Sequence, residues 1–308
     1  MAIAPNLPLV EYTGLFLSGM QLSYTSTTVV TVASGVCKDS TNTNDIVIPT
    51  NLAVGPTNPL STLANVYGES YVAPTSYPAY VCTVNTALVG VGGIDVGTLT
   101  NNRLYAVYAI GSSTNQLGAG QPYSPYPGAA VASLSWTGPT LPTGYDMYRR
   151  IGAFLVDNAG HIQAFSQSGS SNARTVSYDL WMSNTAGGGT PSNIFNFVSA
   201  GAATTITDVA LSYSQSPSPR LVPPVNGNSV LVGADMIDSL GSLLEVADYR
   251  TTGTTGMNVA TSTGNPTWAT VATPYSTYVS GGANYGGMAY LISAGTVNLY
   301  VAGYVDNL

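Results

Sequence analysis

Charged side chains are scarce in this sequence: 308 residues carry Lys+Arg 7 against Asp+Glu 14, so that 7% are charged, where a soluble domain ordinarily has about 25%. Lys38 is the only lysine and His161 the only histidine. With a net charge of −7 and scattered arginines, the chain lacks the basic stripe that a phosphate-backbone binder needs, so no nucleic acid partner is expected. The same deficit disfavours an anionic membrane surface. No apolar run reaches the roughly 18 residues of a spanning helix, and no membrane insertion is expected. One histidine and two cysteines are too few for a Cys/His zinc site. Nor are two cysteines a disulfide framework. Cys37 in VASGVCKD and Cys82 in PAYVCTVN sit among apolar neighbours, which suits free, half-buried thiols. Neither a GxSxG elbow nor a GxxxxGK[ST] loop is present, so these shortcuts to a nucleophile or a phosphate site are missing. The GVGG stretch at Gly90–Gly93 reads as a turn. No enzymatic activity, no metal and no cofactor are expected.

What the chain has in quantity is β-formers, including 21 Tyr, separated by Gly, Pro, Asn and Ser clusters. Short alternating runs recur, among them MQLSYTSTTVVTVAS, DIVIP, RLYAVYAI, AAVASLSW, RTVSYDLWM, TTITDVALSY, NSVLVGADM, LLEVADYRT and VNLYVAGYV. Strands at this spacing predict an all-β protein of sandwiches or barrels. Only NPLSTLANVYG and DMIDSLGSLLE read as helical turns. The small polar stretch SQSGSSNA, Ser166–Ala173, has linker composition. It divides the chain into two β-sandwich, jelly-roll-like domains, 15–168 and 169–308. Residues 1–14, MAIAPNLPLVEYTG, lack a basic n-region and are broken by Pro5 and Pro8, unlike a signal peptide. They are expected to form an extended arm that docks on another protein.

The stretch LPTGYDMYRRIGAFLVDNAGHIQAF, Leu141–Phe165, concentrates two arginines, two aspartates and the histidine. A period of two in MYRRIGAFLV puts Ile151, Ala153 and Leu155 on one face and Arg150, Gly152, Phe154 and Val156 on the other. Asp157–Gly160, DNAG, reads as a type I turn with a left-handed Gly160. It predicts a hairpin in which HIQAF returns antiparallel. Arg149 and Arg150 are expected at its open end, pairing with Asp146 or donating to loop carbonyls. Directly after the turn, His161 reads as a solvent-facing strand start rather than a catalytic base. Asp146, Arg149, Arg150, Asp157 and Gly160 are thus the candidate salt-bridge and hairpin set.

The same residues carry a resemblance. Leu141, Pro142, Gly144, Tyr148–Gly152, Gly160, Ile162 and Phe165, together with GVCKDSTNTNDI in the first half, resemble a module of tailed-bacteriophage virion proteins and tail-fibre-like proteins. The likeness covers Gly14 to Phe165. It implies a virion structural protein, short fibre, spike or capsid decoration, assembled in the host cytoplasm and exposed on the particle. It also implies a homotrimer and contacts with capsid, portal or tail proteins.

Residues 251–305 contain no charged side chain. A subunit interface depleted in charge and rich in aromatics has that character, as does a neutral Thr/Ser/Asn/Gly skin. Trp268, Tyr275, Tyr278, Tyr285 and Tyr290 supply rigid contact area for a partner or for stacking on a host glycan. A second reading is therefore a glycan-binding receptor-binding protein. A third is a polysaccharide depolymerase, for which Asp235, Asp238, Glu245 and Asp248 are the acids to consider. Four acids so close in sequence read more simply as a solvated loop or helix face.

Overall fold

The computed structural model describes residues 17–48, 81–113, 128–169, 173–179, 196–202, 207–210, 221–223, 227–237, 243–248, 257–261, 267–274, 276–280 and 283–308. The expected arm at 1–14, the NPLSTLANVYG stretch, Tyr275 and Asp238 lie outside them.

Among the described residues the protein is almost all strand, and every ladder between named strands is antiparallel, as the alternating runs predict. The first part builds three small sheets. β1 (Leu17–Gly19), β4 (Gly35–Lys38) and β5 (Asp45–Ile48) form one in the order β1-β4-β5. β2 (Leu22–Ser26), β3 (Val29–Val32) and β6 (Cys82–Asn85) form the second in the order β2-β3-β6, and β7 (Arg103–Gly111), β8 (Ala129–Ser133) and β9 (Met147–Val156) the third in the order β8-β7-β9.

The rest builds two larger sheets. One has the order β10-β11-β20-β14-β17, from β10 (Phe165–Ser168), β11 (Ala173–Tyr178), β14 (Gly227–Ile237), β17 (Thr267–Pro274) and β20 (Thr296–Asn307), and β12 (Asn196–Gly201) also pairs with β20. The other has the order β13-β19-β15-β16, from β13 (Thr207–Ala210), β15 (Leu243–Asp248), β16 (Met257–Thr261) and β19 (Ala283–Ile292), with β18 (Ser276–Ser280) on β19. The DMIDSLGSLLE stretch, read as a helical turn, instead contributes the end of β14 and the start of β15. Pairing of β14 with both β17 and β20 overrides the local spacing of its apolar residues.

The SQSGSSNA stretch holds Ser166–Ser168 of β10 and the first residue of β11, two strands that pair with each other in a register that sets Ser166 opposite Ser177 and Ser168 opposite Thr175. Hairpin loops and linkers share the same small polar composition, and only the long-range pairing tells them apart. The boundary drawn between 168 and 169 falls between two strands that pair. β11 then pairs with β20, and at Gly303 a side chain has no room, since an added Cβ would lie 2.1 Å from the Val176 carbonyl oxygen. One buried apolar cluster includes Leu17 and Ile46 as well as Val230 and Tyr304, so the core is continuous across that boundary.

β9 departs from simple alternation. Val107 pairs with Gly152 but Tyr108 with Arg150, which leaves Ile151 as an extra residue, a β-bulge. The face reverses there. Phe154 is opposite Tyr105, with ring centroids 5.7 Å apart, whereas Arg150 is opposite Tyr108; three residues apart on β7, these partners point to opposite faces. Arg150 therefore does not share a face with Gly152 and Phe154 as strict alternation requires. Both faces of β9 are covered, one by the main cluster and the other by a smaller one of Ala106, Tyr108, Ile110, Ala129, Val131 and Tyr145. That double burial explains a run that is apolar almost throughout.

Candidate functional site

The turn at Asp157–Gly160 forms as its residues require. Gly160 has φ +83, a conformation that side chains rarely adopt. The Asp157 carboxylate accepts from the Ala159 and His161 amides, each at 2.8 Å, and from Gln163 Nε2 at 2.9 Å. His161 Nδ1 is 3.8 Å from the same carboxylate on an exposed side chain, so Asp157 acts as the cap of its own turn. The return strand is shorter than expected. Ile162 bridges Val156 and the Gln163 amide donates to Leu155 O, after which the chain leaves β9 and Phe165 begins the ladder with β11.

Asp146 does not pair with either arginine. Its carboxylate accepts from the Ser113 amide at 2.6 Å and from the Ser113 hydroxyl. Arg149 is buried on the face that approaches Cys37, and burial holds its pKa below the ordinary value. Cys37 and Cys82 are not joined in a disulfide, and both are buried rather than half-buried. Burial pushes the Cys37 thiol up to about 12, with Arg149 and Arg174 pulling in the other direction, so it stays protonated and inert.

Arg150 finds its partner far along the chain. Its Nη1 and Nη2 donate to Asp306 Oδ2 and Oδ1 at 2.6 and 2.7 Å, and Nη2 also reaches Asn307 O at 3.2 Å. The guanidinium carbon lies over the Trp136 ring, 5.6 Å from its centroid, a cation–π contact. Asp306 has 0% exposure. Burial works against the charge on Arg150, but the Asp306 carboxylate overcomes it and holds the guanidinium pKa above its ordinary value. For Asp306 burial dominates and raises the pKa, while Arg150 and then Arg174 partly offset it.

Arg174, which sequence reasoning assigned no role, completes the cluster. On β11 it sits opposite Asp306 in the ladder to β20 and is 1% exposed. Its Nη1 donates to Met20 O at 2.7 Å, Ile151 O at 3.1 Å and Gln167 Oε1 at 3.3 Å, and its Nη2 to Gly19 O. Those carbonyls lie where regular pairing is interrupted, at the β1–β2 connection with Met20 at φ 55 and at the Ile151 bulge. Burial brings the Arg174 pKa down to about 10, with Asp306 as the main opposing influence; the side chain is still charged at neutral pH. A signal for it was present: Arg174 shares the inward face of Val176 and Tyr178 on an alternating strand. Asp306 had no such signal, because a bulge between Val301 and Gly303 switches the inward positions of β20 from odd to even numbers.

Asp39 shows a local version of the same use of charge. Its carboxylate accepts from Thr41 Oγ1 at 2.9 Å, from the Thr43 amide at 2.8 Å, and from the Asn44 amide and side chain. Burial raises its pKa, but these hydrogen bonds outweigh it and leave the value below 3.8. A lowered carboxylate pKa contributes stability that is present above 3.8 and lost as pH falls through the lower folded-state value. Asp39→Asn is expected to cost about 1 kcal/mol at pH 7. In urea unfolding series across pH, the gap between variant and wild type should close on acidification.

The aromatic candidates among the described residues fall on two sheets. Trp268 is opposite Asp235 on the β14–β17 ladder, whereas Tyr278 is opposite Tyr285 in the other sheet. Tyr290 is 6% exposed, with its hydroxyl against Gly201 and its pKa raised by burial; it is a core residue, not a contact residue. The acids are likewise divided, Asp235 on β14 and Glu245 and Asp248 on β15 of the second large sheet, all on strands rather than on a loop or helix face. Among the described residues no group of three or more His, Cys, Asp or Glu could hold a metal ion. Among the described residues distant charges converge at Arg150, Arg174 and Asp306, and the chemistry there is that of a fastener: the two guanidiniums donate to the Asp306 carboxylate, the Gln167 amide oxygen and backbone carbonyls of Gly19, Met20, Ile151 and Asn307. No family model matches this chain, and no curated protein and no solved structure matches it either.

Proposed function

We propose that this chain is a non-enzymatic structural protein on the exterior of a tailed-bacteriophage particle, a short fibre, spike or capsid decoration. It assembles in the host cytoplasm as a homotrimer and attaches by its N-terminal region to a capsid, portal or tail protein. Its sheets make two jelly-roll-like sandwiches, and the C-terminal part faces outward to stabilise the particle or meet the host surface. The reading is supported by the resemblance of Leu141–Phe165 to the virion module and by the neutral character of residues 251–305.

The observation that carries it furthest is where the cations go. Of seven Lys and Arg, Arg149, Arg150 and Arg174 are buried, and the last two bind strands that are distant in sequence. A chain so poor in charge that buries three of its six arginines suits mechanical integrity rather than the steering of a charged substrate.

Immunogold labelling of intact particles from a strain that encodes this chain tests the proposal. Label on the capsid faces, the vertices or the tail is the expected result. Particles free of both label and chain would overturn it, as would release of sugar fragments from host polysaccharide by the purified protein.

A further inference from the structure

Five of the large apolar side chains that face solvent lie together: Leu88, Val89, Val91 and Val96 in one loop and Leu134 beside it. The loop is not loosely held. The Gly90 amide donates to Ile94 O at 2.7 Å and the Ile94 amide to Leu88 O at 2.9 Å, closing the turn on itself. The Gly92 and Asp95 amides donate to Ala130 O and Ala132 O, and the Ala132 amide to Gly93 O, fixing the loop to β8. Leu134 follows β8 directly, and the parallel bridge of Ile94 to Ala132 brings the Val96 end of the loop beside it, so the backbone holds these exposed apolar residues close to one another. Contiguous apolar patches of roughly a few hundred Å² on a monomer are often functional.

The patch is also neutral. Residues 70–94, 96–102 and 104–145 carry no charge. Asp95 turns its carboxylate inward, one oxygen on the Val96 amide at 2.9 Å and the other on the Thr140 amide at 2.8 Å. The net charge of −7 is carried by other segments of the chain, and among the described residues burial does not alter it, since the buried Arg149, Arg150 and Arg174 are matched by the buried Asp39, Asp95 and Asp306. Two copies of such a chain repel one another wherever acids meet, and this face is where they can approach without like-charge contact. A basic partner would instead favour the acidic surface. Copies of one chain also make the more apolar interfaces.

We infer that the patch of Leu88, Val89, Val91, Val96 and Leu134 is a contact between copies of this chain. The inference gives a location to the self-assembly proposed above and rests on that part of it. The test is sedimentation equilibrium of the full chain, comparing wild type with Val89→Asp/Val96→Asp. These side chains are 62% and 53% exposed, so the fold should tolerate the change, as circular dichroism and melting would verify. Wild type is expected to associate at about 10 µM, and the double variant to dissociate at concentrations raised by about 100-fold or more. Val47→Asp, at 52% exposure outside the patch, should leave association unchanged. An oligomer indifferent to the double substitution, or equally weakened by Val47→Asp, overturns this contact alone. A wild type that is monomeric at about 100 µM overturns the contact and the self-assembly together, while particle labelling remains a separate outcome.

Discussion

Replacing Arg150 with alanine is expected to destabilise the protein by about 3–5 kcal/mol in urea or thermal unfolding. The reason is what remains behind. Asp306, with 0% exposure, would lose both hydrogen bonds of its bidentate partner. The other nearby cation, Arg174, already directs its donors at Gly19, Met20, Ile151 and Gln167, so it cannot swing over without abandoning them. Removing the charge from both ends is a different experiment. Arg150→Met with Asp306→Leu should recover most of the loss, since well-packed apolar side chains often replace a buried pair at little net cost. Recovery should stop about 1–2 kcal/mol short, because Asp306 also offsets the burial of Arg174.

The pH dependence of Arg150→Ala gives an independent check with a definite sign. Asp306 already has its pKa raised by burial, and loss of Arg150, the leading influence that lowers it, would raise it further. For an acid whose folded-state pKa is above its unfolded value, stability falls as pH rises from 3.8 towards the folded value. The penalty of Arg150→Ala should therefore grow as pH rises through the raised folded-state values and shrink as pH falls back towards 3.8. A penalty under about 1 kcal/mol at pH 7, flat with pH, would mean that the pair is effectively solvated.

Much of this arrangement could be read from the chain and some of it could not, for reasons that are physical. The strands β7 and β9 announce themselves because β-branched and aromatic residues fill them, and DNAG specifies its turn through Asp157 and Gly160, whose roles are local. Arg150 was marked by its rarity, but its partner lies 156 positions away. Nothing local connects the two. The bulges at Ile151 and beside Gly303 each shift the inward face by one residue, and the period-of-two reading that works on either side of a bulge gives the wrong face across it. The SQSGSSNA stretch shows another limit of local reading: the ladder that sets Ser166 opposite Ser177 and Ser168 opposite Thr175 is a backbone pairing, indifferent to the side chains from which a linker was inferred. Arg174 was legible in principle, as a lone charge on an otherwise apolar face, and such a residue is best treated as an anchor whose acceptors remain to be found.

Arg174 is the second position where a large effect is expected, and the cause differs from that at Arg150. Its guanidinium serves mainly neutral acceptors, the carbonyls of Gly19, Met20 and Ile151 and the side chain of Gln167. Arg174→Ala leaves three buried carbonyls short of a donor and opens a cavity, with an expected loss of about 4 kcal/mol or more. Arg174→Met refills most of the volume but supplies no donor, and should still lose about 2–3 kcal/mol. Arg174→Lys keeps the charge and separates the two contributions: an ammonium is a compact point donor without the planar fork that spans these acceptors. It should lie between wild type and Met. Gln167 links this network to a backbone reporter, because its Oε1 also accepts the Leu22 amide at 2.7 Å. Exchange of the Leu22 amide should accelerate in all three variants, ahead of global unfolding, as the side chain of Gln167 loses its anchor. If Arg174→Met were as stable as wild type with Leu22 exchange unchanged, the carbonyls at the β1–β2 connection and at the Ile151 bulge would have to be satisfied without the arginine, and its place at the junction of β1, β9, β10 and β11 would be one of packing alone.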